Sequence, residues 1–131
     1  MISDCNLVPT IPTKDLALSR RFYEDVIGLR VRGEDPDMGV WYECGGSAVY
    51  LYETQFAGTA EHTLASLESE HVEEDIQELR DKGVRFETYD MPGIEWDGDV
   101  AIMQGQKGVW FRDPAGNILG MFQKSEVLAR A

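Results

Sequence analysis

The sequence predicts an α+β fold made of two copies of a strand–helix–strand–strand–strand unit, and two internal repeats carry that prediction. The first is a helix–strand segment. Asp15-Leu16-Ala17-Leu18-Ser19-Arg20-Arg21-Phe22-Tyr23 leading to Gly28-Leu29-Arg30-Val31 aligns with His71-Val72-Glu73-Glu74-Asp75-Ile76-Gln77-Glu78-Leu79 leading to Gly83-Val84-Arg85-Phe86. Each copy reads as an amphipathic helix, a glycine stop and a strand. The second is an aromatic hairpin. Val40-Trp41-Tyr42-Glu43-Cys44, a glycine turn and Ala48 to Tyr52 align with Val109-Trp110-Phe111-Arg112-Asp113, a turn and Ile118 to Phe122. A chain of 131 residues suits one compact domain. Two copies of the unit place a functional cleft between sheet faces, at equivalent positions in each copy.

Asn6 to Pro12 is the predicted opening strand, apolar at Leu7, Val8 and Ile11. Asp15 is the predicted N-cap of the first helix. Leu16, Ser19, Phe22, Tyr23, Val26 and Ile27 recur at helical spacing as one buried stripe, and Gly28 stops the helix. Leu29 to Gly33 follows as a strand and Glu34 to Asp37 as a polar turn. Val40 to Cys44 and Ala48 to Glu53 form a hairpin around Gly45-Gly46. Residues 55–61 have no clear period and read as a linker. Module one therefore spans about residues 5–54 and module two about 62–123. In module two, Thr63 to Ser69 is a strand. The next helix has Glu73, Glu74 and Asp75 in its first turn and Arg80 and Lys82 in its last, which complements the helix dipole. Val84 to Tyr89, Val100 to Met103, Val109 to Arg112 and Ile118 to Gln123 are predicted strands. Met91 to Asp99 is a predicted loop carrying Trp96, a candidate pocket wall, and 124–131 reads as a frayed tail.

The net charge of −12, from 24 acids and 12 bases, opposes binding to nucleic acid or anionic membrane. It favours a cationic ligand or a metal ion, and it also keeps the protein dissolved. No run of about 18 apolar residues is present, so no membrane span is expected. The first residues lack the order of a secretory leader, and cytoplasmic residence is the expectation. Cys5 and Cys44 are too few for a disulfide framework and are expected as reduced thiols.

Asp15-Leu16, Ser19, Phe22-Tyr23 and Gly28-Leu29 resemble the opening signature of the vicinal oxygen chelate superfamily. Asp113-Pro114-Ala115-Gly116-Asn117 resembles its closing signature. That superfamily includes glyoxalase I, extradiol dioxygenases, fosfomycin-resistance enzymes and bleomycin-resistance proteins. The resemblance covers about residues 6–123. It implies a glyoxalase/bleomycin-resistance-like fold: two βαβββ modules giving curved mixed sheets around a cleft, commonly as a homodimer. It also implies that metal-dependent members hold a divalent ion with four side chains, two per module, usually His, Gln or Glu. Carried onto this chain, those positions are Val8, Tyr50, Leu64 and Gly120. Three have no side-chain donor, and tyrosine is a rare ligand for such ions. No metal or other cofactor is expected.

Strand alternation adds Thr10 to Val8, Tyr52 to Tyr50, Ser66 to Leu64 and Phe122 to Gly120. With Trp96, these residues predict an apolar, aromatic ligand-binding cleft in which Gly120 leaves room. Such a surface suits a flat small molecule, apolar or cationic. The alternative is a lyase, isomerase or dioxygenase-type enzyme using unusual metal ligands or a metal-free base. For that base His62, Glu53 and Glu95 are the candidate catalytic residues.

Overall fold

The computed structural model describes residues 1–36 and 38–124. The chain divides into two compact units. One is Met1–Thr59 together with Pro114–Asn117, and the other is Ala60–Asp113 with the described residues from Ile118.

The first unit runs β1 (Thr10–Thr13), α1 (Leu16–Arg21), β2 (Arg30–Asp35), β3 (Gly39–Cys44) and β4 (Ser47–Glu53). Its sheet order is β1-β4-β3-β2, with β1 parallel to β4 and the other pairs antiparallel. β1 starts later than expected. The Pro9 carbonyl accepts from the Tyr50 N–H at 3.0 Å, but Pro9 has no N–H to return, so the ladder stops there. The Asp15 carboxylate caps α1 by accepting the Leu18 N–H at 3.1 Å. After Arg21 the helix widens into π-type turns over Phe22–Ile27, and Gly28 ends it with φ of 85°. The buried side chains Ile11, Val40, Tyr42, Val49 and Leu51 share one sheet face, with Ser19 and Tyr23 of the helix buried beside them.

The second unit runs β5 (Thr63–Ser69), α2 (Val72–Asp81), β6 (Glu95–Asp97), β7 (Val100–Met103), β8 (Gln106–Arg112) and β9 (Ile118–Gln123). Its order is β5-β9-β8-β7-β6, with β5 parallel to β9. Val72, Ile76 and Leu79 of α2 are buried, and the helix packs on β8 and β9.

Two expected elements differ here. Residues 84–89 are not a strand: β7 pairs with Gln106–Gly108 of β8, and beyond that stretch only Glu87 bridges to Trp110. Trp96, expected in a loop, sits in β6 opposite Ala101 of β7. Of the expected tail, Lys124 is held by its N–H to the Ser69 carbonyl (2.8 Å), and 125–131 lie outside the described residues.

The repeat extends to strand register. Thr10 pairs with Tyr50 in the first sheet as Ser66 pairs with Gly120 in the second, and Trp41 lies opposite Tyr50 as Trp110 lies opposite Gly120. The closing-signature turn belongs to the first unit. The Asn117 side-chain amide donates to the Pro12 carbonyl (2.7 Å), and its oxygen accepts the Gly58 N–H (3.3 Å).

Candidate functional site

The first sheet turns one face away from its core. Residues paired across neighbouring strands point to the same side. Thr10, Trp41, Ala48, Tyr50 and Tyr52 therefore share that face. Three of them form a ladder of half-buried rings. The Trp41 and Tyr50 centroids are 4.7 Å apart, and Tyr50 and Tyr52 are 6.2 Å apart and within 5° of parallel.

Tyr50 lies down across Gly39, where an added Cβ would meet its hydroxyl oxygen at 2.6 Å. From there the hydroxyl donates to Asp35 Oδ2 at 3.0 Å. Removal from water, and then this bond to a carboxylate, push the Tyr50 phenol above its usual range. At the other end of the ladder, a cavity of about 360 Å³ is lined by Arg32, Gly33, Trp41, Tyr42 and Ala48. A break in the β2–β3 register between Val31 and Gly33 falls at Arg32, whose guanidinium lies 3.8 Å from Glu43.

The second sheet handles the equivalent face differently. Gly120 has no ring, and the neighbouring Phe122 fills the space. Its ring lies over Gly120 and Gly108, so a Cβ at Gly120 would sit 2.9 Å from Phe122 Cζ. The room expected at Gly120 is thus taken by a side chain of the same strand. Phe122 packs edge-on to Trp110 at 5.3 Å, and Trp96 lies 6.1 Å from Trp110, within a cluster that includes Tyr89, Ile94 and Met103. Trp110 is buried, and its indole N–H donates to the Thr63 hydroxyl at 3.1 Å.

Thr63 was not among the sequence candidates. The β5–β9 register shifts between Thr63 and Ala65, so Thr63, paired with Ile118, shares this face with Ser66, and Leu64 sits at the irregularity. Period-two counting does not reveal a bulge.

Val8, half-buried, precedes β1, and the Thr10 hydroxyl donates to its carbonyl at 3.1 Å. The four positions that the resemblance assigns to a divalent ion carry side chains that do not suit one. Val8, Leu64 and Gly120 have no donor atom, and the Tyr50 hydroxyl is engaged with Asp35. No cluster of three or more His, Cys, Asp or Glu able to hold a metal occurs among the described residues. His62, Glu53 and Glu95 are all exposed. Glu53 ends β4 in the first unit, Glu95 opens β6 in the second, and His62 Nδ1 lies 3.0 Å from the Thr63 carbonyl oxygen.

Residues 7–121 match the family model of the Glyoxalase/Bleomycin resistance protein/Dioxygenase superfamily, and the chain belongs to that superfamily. Solved structures agree on the fold. Lactoylglutathione lyase from Agrobacterium tumefaciens is 21% identical with a TM-score of 0.68, over 92% of this chain and 93% of that one. A bleomycin resistance determinant encoded on the transposon Tn5 is 17% identical with a TM-score of 0.70, over 92% and 98%. TnmS3, an antibiotic binding protein from Streptomyces sp. CB03234, is 20% identical with a TM-score of 0.65, over 93% and 98%. No curated protein matches by sequence.

Proposed function

We propose that this protein binds a small apolar or cationic aromatic molecule without a metal ion, acting in the cytoplasm as a homodimer. The observation that carries this reading is the Trp41–Tyr50–Tyr52 ladder. Three adjacent rings keep part of their area in water on one sheet face. Each ring stacked by a flat ligand contributes about 0.5–1.5 kcal/mol beyond simple burial. The cavity beside Trp41, about 360 Å³, is of small-ligand size. The described antibiotic-binding and bleomycin-resistance roles of two structural neighbours point the same way.

Thr10 and Val8 border the ladder in this proposal. The second unit's candidates are Leu64, Ser66, Trp96, Gly120 and Phe122. There a ligand ring must first replace the Phe122 ring on Gly120, so the first unit carries the reading. The enzyme alternative draws on the likeness to a lyase. It needs a base held against substrate, and His62, Glu53 and Glu95 stand exposed without such a setting.

The test is isothermal titration with acridine, a flat neutral aromatic at pH 8, on the native protein and on Trp41→Ala and Tyr50→Ala. Binding that falls at least about tenfold in both variants supports the reading. Equal binding in all three overturns it. Elemental analysis of protein purified without chelator, showing one transition metal per chain, overturns metal independence.

A further inference from the structure

We infer that Asp35 is the counter-ion for a cationic nitrogen on the ligand, which lies over the Tyr50 and Tyr52 rings with that nitrogen turned to the carboxylate. The inference deepens the ladder reading and rests on it.

Donors and acceptors decide the ligand's charge. The Tyr50 hydroxyl gives its one proton to Asp35 Oδ2, so toward anything else that oxygen only accepts. An ionised carboxylate has about four acceptor sites, and Tyr50 uses one. Asp35 has no Lys or Arg partner among the described residues. The ring faces of Tyr50 and Tyr52 are also negative.

The basic groups of β2 are Arg30 and Arg32. Arg30 is five residues away, roughly 17 Å along a strand, and Arg32 sits beside Glu43. The acceptors at the Asp35 end, its carboxylate and the Tyr50 oxygen, are therefore left unmatched, and the nearby Arg20 guanidinium is already engaged with Glu24 and Glu34. A neutral ring does not satisfy these acceptors and an anionic one is repelled. A flat ring carrying a protonated amine or amidinium meets both the ring faces and the carboxylate. Gly39 keeps the geometry, because any side chain there displaces the Tyr50 hydroxyl from Asp35. The net charge of −12 adds a long-range pull on cations.

The experiment compares two dyes of nearly the same shape at pH 8 by isothermal titration: 9-aminoacridine, which is protonated, and acridine, which is neutral. Native protein is expected to prefer 9-aminoacridine by about tenfold, with the preference shrinking in high salt. Asp35→Asn should abolish the preference while acridine affinity stays within about twofold. Asp25→Asn removes the same charge from an exposed helical position and should keep the preference.

A preference that survives Asp35→Asn overturns the inference and leaves the ladder reading standing. An equal loss in Asp25→Asn assigns the effect to net charge and overturns it as well. Binding of neither dye by the native protein overturns both.

Discussion

Thr13 and Ser69 hold the same station in the two units. Each hydroxyl, at the end of its unit's first strand, accepts the N–H two residues on and bonds the side chain six residues on. Thr13 Oγ1 takes the Asp15 N–H at 3.1 Å and lies 2.6 Å from Ser19 Oγ. Ser69 Oγ takes the His71 N–H at 3.1 Å and donates to Asp75 Oδ2 at 2.5 Å. The hydroxyl ties each strand to the helix after it. Thr13→Val keeps the shape and strands the buried Ser19 hydroxyl and the Asp15 N–H. We expect a loss of about 1–3 kcal/mol in urea unfolding. Ser69→Ala should cost less, since half-exposed Asp75 can turn to water.

Glu24 sets a pH limit on stability. Partial burial works to raise its pKa, but hydrogen bonds from Arg20 (2.7 Å) and Tyr42 (2.7 Å), with the Arg20 charge, outweigh burial and leave it below its usual 4.5. A carboxylate depressed in the folded state adds stability above its unfolded pKa and loses it as pH falls through the folded value. Native protein should therefore lose melting temperature more steeply below pH 4.5 than Glu24→Gln, and at pH 7 the variant should be the less stable of the two. Thermal unfolding from pH 7 to pH 3 checks both signs.

Phe122 and Tyr52 are equivalent residues with unequal burial partners. Phe122 covers Gly108 and Gly120 and packs on Trp110, whereas Tyr52 stacks on Tyr50 at the face. Phe122→Ala should cost about 2–4 kcal/mol and change Trp110 emission. Tyr52→Ala should cost less than half of that while weakening acridine binding. Urea unfolding followed by tryptophan fluorescence separates the two.

Gly58 is fixed by its neighbours. Its φ is +76°, and a Cβ there would run into the Ala115 carbonyl oxygen. Gly58→Ala adds left-handed strain of about 1–2 kcal/mol and overpacking of about 1–3 kcal/mol. A drop of several degrees in melting temperature is the expected readout.

The helix stops, the Asp15 cap, the hairpins and the equivalence of Trp41 with Trp110 were legible in the sequence. Each rests on local pattern: a period of 3.6 or 2, a capping side chain, a glycine at positive φ. The features that escaped it depend on neighbours distant in sequence. Residues 84–89 have strand composition, but they meet β8 only where Glu87 bridges to Trp110, beyond the stretch paired with β7. Gly120 signals a missing side chain, and only the fold shows that Phe122 fills the gap. Leu64 satisfies alternation until the β5 register breaks there. Asp35 read as a turn residue until Gly39 let Tyr50 reach it.

β1 is an outer strand of its sheet, and outer strands invite a second chain to add itself by backbone pairing. Along β1 the Pro9 and Thr13 carbonyls face β4, so alternation turns the Pro12 carbonyl outward, where Asn117 already occupies it. Pro12 has no N–H to offer an incoming strand. The closing-signature turn thus blunts the rim of the first sheet, guarding the chain against open-ended polymerisation.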